Sequence, residues 1–122
     1  MRDFRELQVW QKGHKIALAA YRDAVGFPVE ERCGITSQIR RAAYSIPPNI
    51  AESCGRSGDA ELARFMQISM SSASELEYLL LLARDLNYLP VQRYGTLNAQ
   101  TIEVKRMLAP FINRLRKPKL TG

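Results

Sequence analysis

A single histidine, two cysteines and twelve carboxylates are the groups from which this 122-residue chain would have to build any catalysis or metal site. A Ser-His-Asp or Cys-His arrangement needs an imidazole to take the nucleophile's proton, so it would have to be centred on His14. At 100° per residue His14 falls within the apolar stripe from Trp10 to Tyr21, which reads as a core or interface histidine rather than a base. Carboxylate-bridged di-iron bundles use Glu-x-x-His pairs, and the residue three before His14 is Gln11. Glu75 and Glu77 are two apart, so on a helix they diverge by about 200° and do not form an acid–base pair. Cys33 and Cys54 lack a CxxC spacing and read as reduced thiols. No phosphate-cradling GxxxxGK[ST] loop is present. The expectation is a protein with no catalytic residue, no metal, no cofactor and no small-molecule substrate.

The remaining chemistry is charge. Residues 1–90 hold 11 Lys/Arg against 11 Asp/Glu, whereas residues 91–122 hold 7 Lys/Arg against Glu103 alone, so the whole net charge of +6 lies in the last quarter. Such asymmetry suits an anionic partner: nucleic acid, an acidic protein or a membrane surface. A solvated basic tail that keeps the chain soluble accounts for it equally well. Candidate phosphate contacts are Arg40, Arg41 and Arg56, then Lys105, Arg106, Arg116, Lys117 and Lys119. Arg40 and Arg41 lie off the Ile35/Ile39 stripe and can instead pair with Glu30, Glu52 or an acid of another subunit. No aromatic residue interleaves the cations of the last helix, which argues against a base-stacking platform.

Four segments with helical periodicity would position these groups, and no segment alternates with period two, so the fold class is all-α. In the first, Leu7, Trp10, His14, Ala17, Leu18, Tyr21 and Val25 share a face. In the second, Ile35, Ile39, Ala42, Ala43, Ile46 and Ile50 recur every three or four residues. Phe65, Ser69, Ser72, Leu76, Leu79, Ala83 and Leu86 form a heptad seam in the third, and Leu97, Thr101, Val104, Leu108, Phe111 and Leu115 do so in the fourth. Links of about "GFPV", "RSG" and "YLP" force antiparallel neighbours, hence one up-down-up-down four-helix bundle spanning residues 1–122 with a short basic tail from 117. Pro47 and Pro48 interrupt the second stripe. A restart with Ser45 as N-cap would place them in a first turn, where a missing N–H costs little, and would divide the helix into pieces near 30–44 and 46–55. A continuous but kinked helix is the alternative. Pro110 predicts a kink near 106–110. Met70 and Leu81 lie away from the third seam, and surface beyond one stripe per helix needs a partner, so both are expected at an interface between copies.

No apolar run exceeds six residues, well short of the roughly 20 that cross a bilayer. No apolar stretch of the signal-peptide kind follows "MRDFRE", so a cytoplasmic location is expected.

Three strings, "FRELQVWQKGHKIAL" at 4–18, "GITSQIRRAAYSIPPNIAESCGR" at 34–56 and "ELEYLLLLARDLNYL" at 75–89, together resemble the four-helix proteins encoded by intervening sequences within bacterial 23S rRNA genes. The resemblance runs over about residues 4–90 and implies a small cytosolic bundle, often a homopentamer, without enzymatic activity. A related branch, the accessory variability proteins of diversity-generating retroelements, binds nucleic acid and a reverse transcriptase. The expectation is therefore a non-catalytic homo-oligomer, with five copies as the implied number, that binds RNA, DNA or a nucleic-acid enzyme. A protein-interaction scaffold without nucleic acid is the alternative.

Overall fold

The computed structural model describes residues 3–118. Helix α1 spans Gln8–Ala24, α2 Ile35–Cys54, α3 Asp59–Asp85 and α4 Val91–Arg116, with 3₁₀ turns at Phe4–Glu6 and Val29–Glu31. No strand occurs among the described residues. Each helix packs on its neighbours in sequence and α1 closes against α4, leaving the α1/α3 and α2/α4 diagonals apart. Residue pairs give the directions. Tyr21 meets Arg40 while Gly13 meets Ile46, Arg56 meets Phe65 while Ser45 meets Ser72, and Gln67 meets Arg116 while Glu77 meets Lys105. Numbers rise along one helix as they fall along the next, as in the expected up-and-down bundle.

The core is built from Ile16, Ile39, Ile46, Ile50, Leu76, Leu80, Leu97 and Leu108, all fully buried. Four small hydroxyls are buried as well; Thr36 Oγ1 has no hydrogen-bond partner, and each of the other three is satisfied by a carbonyl. Ser53 Oγ donates to Ile50 O at 2.6 Å, Ser69 Oγ to Ile46 O at 2.7 Å and Thr101 Oγ1 to Leu97 O at 2.7 Å. The Ser69 bond crosses from α3 to α2, so it ties two helices where the other two only serve their own.

Helix α2 is not broken at its prolines. It runs unbroken from Ile35 to Cys54 with Pro47 and Pro48 inside it. Ser45 is no cap: its hydroxyl bonds to that of Ser72 on α3, and its carbonyl accepts from Asn49 Nδ2 at 2.7 Å. Tertiary packing overrides the proline penalty, because Ile46 and Ile50 on either side are wholly buried and Ser69 grips the intervening turn. The expected first piece also begins too early, since Val29–Glu31 forms a separate 3₁₀ turn. Helix α4 likewise continues through Pro110, which faces solvent.

The phase of α1 differs from the expected one. Its buried residues are Val9, Gly13, Ile16, Ala20 and Ala24, whereas the bulkier stripe from Trp10 to Val25 lies toward the surface. A Cβ built on Gly13 would come within 3.0 Å of Ile46 Cγ2 and 3.8 Å of the Pro47 nitrogen. Helices this close admit only small side chains between them, so the apolar residues of greatest bulk are the ones left outside. Helix α3 ends in a Schellman motif: Asn87 takes φ 63°, its N–H bonds Arg84 O, and Tyr88 N–H bonds Ala83 O, each at 2.9 Å.

Candidate interaction surfaces

The cations singled out in the sequence do not gather into one patch. Arg40 leans on Tyr21, its guanidinium 5.2 Å from the ring centroid and Nη2 donating to Tyr21 O at 3.4 Å. Arg41, next to it, is exposed on the outer flank of α2. Arg56 lies sixteen residues further along the chain, about 24 Å at helical rise. It is ion-paired with Glu52 and stacked over Phe65. Lys105 is half-buried in an ion pair with Glu77 at 2.8 Å, which joins α4 to α3 and leaves it unsuited to hold a phosphate. Lys119 lies outside the described residues.

Arg106, Arg116 and Lys117 are exposed along the C-terminal part of α4. Arg114 completes this set and was missed by reading from the apolar seam alone; it lies over the Phe111 ring at 5.2 Å from the centroid. From Arg106 to Lys117 the end of α4 and its C-cap carry four exposed cations and no acid. Glu103, one turn earlier, is taken by Lys12 of α1 at 2.7 Å. Across the end of α3, Arg64 is paired with Glu61, which holds that carboxyl below its usual range, chiefly through the hydrogen bond.

The other surface is apolar. The outward stripe of α1 and the facing side of α2 enclose a groove of about 520 Å³. Trp10, His14, Leu18 and Tyr21 form one wall; Tyr44, Pro48 and Ala51 form the other, with Pro47 buried at its base. Phe4 closes one end, its ring edge-on to Trp10 at 5.0 Å. His14 is exposed rather than in the core, and stacks on Trp10 with centroids 4.9 Å apart and planes 8° from parallel. No charged side chain lines this groove. The double proline thus belongs to a surface, where it gives α2 a rigid apolar wall.

On the opposite side of the bundle a shallower depression of about 310 Å³ lies between α3 and α4, lined by Ser74, Glu77, Tyr78, Leu81, Tyr94 and Asn98. Leu81 is half-buried there, and Tyr78 beside it is 59% exposed. Met70 is half-buried against the core and offers little free surface. No cluster of three or more His, Cys, Asp or Glu that could hold a metal occurs among the described residues. No helix among them is long and apolar enough to cross a membrane.

A family model described as 23S rRNA-intervening sequence protein matches residues 5–110. The chain belongs to the 23S rRNA-intervening sequence protein family. The match includes most of α4 and so reaches beyond the strings that first carried the resemblance. The crystal structure of a protein of unknown function from the S23 ribosomal protein family of Bacteroides thetaiotaomicron is similar in fold, with a TM-score of 0.75 and 26% sequence identity over 85% of this chain and 97% of that one. No curated protein matches the chain. Membership in this family accounts for the four-helix architecture and leaves the two surfaces to be read from their own chemistry.

Proposed function

We propose that this family member is a non-catalytic, self-assembling helical bundle that holds the phosphate backbone of a nucleic acid around the exposed C-terminal end of α4. The observation that carries the reading is the run from Arg106 to Lys117, four exposed cations with no acid among them on the end of α4 and its C-cap. A cluster of cations of this kind reads charge and spacing, not base identity, so binding has little sequence preference. In an assembly the copies add their fields. The apolar groove favours a second reading, a protein scaffold in which these cations only maintain solubility.

The salt dependence of RNA binding separates the two. Four phosphate contacts lose on the order of 10²-fold in affinity between 50 and 200 mM salt. Changing Arg106, Arg114, Arg116 and Lys117 together to Gln removes that dependence while leaving the far-UV spectrum unchanged, because all four are exposed. Lys105 is kept, since removing it would strand Glu77. No binding by the wild type at 50 mM salt, or an unaltered slope in the variant, leaves the scaffold reading in its place.

A further inference from the structure

We infer that a cleft between the end of α1 and the start of α2 binds the phosphate group of a small phosphate monoester. The cleft has a volume of about 220 Å³ and shares no lining residue with the apolar groove. Phe27, Pro28 and Val29 of the connecting segment supply its apolar side. Thr36 and Arg40, one turn apart on α2, and Arg32 from the turn before that helix supply its polar side. Two of these polar groups are buried with nothing to bond. Thr36 is 6% exposed, and neither its Oγ1 nor Arg40 Nε has a hydrogen-bond partner. One edge of the Arg40 guanidinium is spent on Tyr21, which holds it in place and leaves Nε over. Buried polar groups are nearly always paired, so an unmet hydroxyl and an unmet guanidinium N–H lining one cleft point to an acceptor from outside the chain.

Charge identifies the acceptor. Arg32 and Arg40 have no ion-pair partner among the described residues, and no acid lines the cleft. Glu31, the residue before Arg32, accepts a hydrogen bond from Tyr88 instead. Helix α2 adds the positive end of its dipole, with no side-chain cap at Gly34. A water would satisfy both donors yet leave two guanidinium charges unanswered, and a carboxylate would answer one. A phosphate monoester carries about −1.5 to −2 charge near pH 7 on acceptor oxygens, so it answers both. The volume is below the roughly 300–1,000 Å³ of sites that enclose a drug-sized ligand. The phosphate therefore enters with a short organic body against Phe27 and Val29, and a whole nucleotide is too large to be enclosed.

Isothermal titration calorimetry of the full chain with phenyl phosphate, inorganic phosphate and acetate tests this. Phenyl phosphate binds in the millimolar range or tighter, inorganic phosphate more weakly for want of the apolar contact, and acetate not measurably. Arg32→Gln, at an exposed residue, and Thr36→Val, which keeps the shape of the side chain, each weaken phenyl phosphate about tenfold or more, the usual worth of a hydrogen bond to a charged group. Thr36→Val removes only a hydroxyl without a partner, so without ligand it melts at the wild-type temperature or above. The variant with Arg106, Arg114, Arg116 and Lys117 changed to Gln binds phenyl phosphate as the wild type does, which separates this cleft from the α4 surface. No heat with phenyl phosphate at millimolar concentration, equal affinity for inorganic phosphate or acetate, or undiminished binding by either cleft variant overturns the inference. A Thr36→Val protein that melts lower also overturns it, because the hydroxyl then has a partner within the fold. Loss of binding in the α4 variant puts the phosphate on α4 and overturns it as well.

Discussion

Tyr88 and Glu31 show what one contact does in this fold. They are 57 residues apart, and the phenol donates to Glu31 Oε2 at 3.0 Å, fastening the 3₁₀ turn before α2 to the end of α3. That hydrogen bond is the main cause of a Tyr88 pKa raised above the usual value of about 10, with burial and the charges of Glu31 and Glu30 adding to it. A pKa raised in the folded state contributes stability that is fully present below the unfolded value and lost as pH rises through the folded one. Tyr88→Phe should therefore melt below the wild type at pH 8, and the gap should narrow by pH 11. A gap equal at both pH values would show that the contact is not what distinguishes them. Nothing in the sequence indicated this pair, because neither residue sits at a spacing that speaks of the other. His14 was located correctly in its stripe, and of the two surroundings expected for it, core or interface, its exposure removes the core, since periodicity names a face without saying which way that face turns.

At the scale of elements, the stripes of α2 and most of α4 were legible, the α3 seam was so only from Ser69 to Ala83, with Leu86 44% exposed, and α1 was rotated. Ile35, Ile39, Ala42, Ala43, Ile46 and Ile50 are all buried as their spacing requires, and Leu97, Thr101, Val104 and Leu108 likewise. Helix α1 has two stripes, one bulky and one small, and hydropathy ranks the bulky one first. The structure buries the small one because α1 and α2 touch at Gly13. Gly13→Ala tests this directly. Alanine favours the helix by about 1 kcal/mol, but a methyl 3.0 Å from Ile46 Cγ2 forces repacking that costs about 1–3 kcal/mol. A net loss of about 1 kcal/mol is expected, lowering Tm by roughly 4 °C. A gain in Tm would mean the two helices have room to spare. The unbroken α2 illustrates the same limit: local propensity counts the lost proline hydrogen bonds, while the buried isoleucines and Ser69 that hold the helix across them come from other parts of the chain.

For the whole molecule, net charge was visible in the sequence and its distribution only partly so. The excess does lie on α4, yet Lys105 is consumed in joining α4 to α3, and Arg40 in covering Tyr21. Apolar surface beyond one stripe per helix was also anticipated for α3, where Ile68 and Tyr78 are exposed, but not for α1 and α2, where Leu18, Tyr21 and Tyr44 are. One consequence of the groove is optical. The chain has a single tryptophan, and it stands half-buried in that wall. Its fluorescence therefore reports on one location without any label. If a neighbouring copy seals the groove, concentrating the wild type from nanomolar to micromolar should shift Trp10 emission to shorter wavelength and shield it from iodide. Leu18→Glu should show neither change over the same range. Emission that stays constant while the wild type assembles would mean that the tryptophan still meets water inside the complex, and that the copies touch elsewhere.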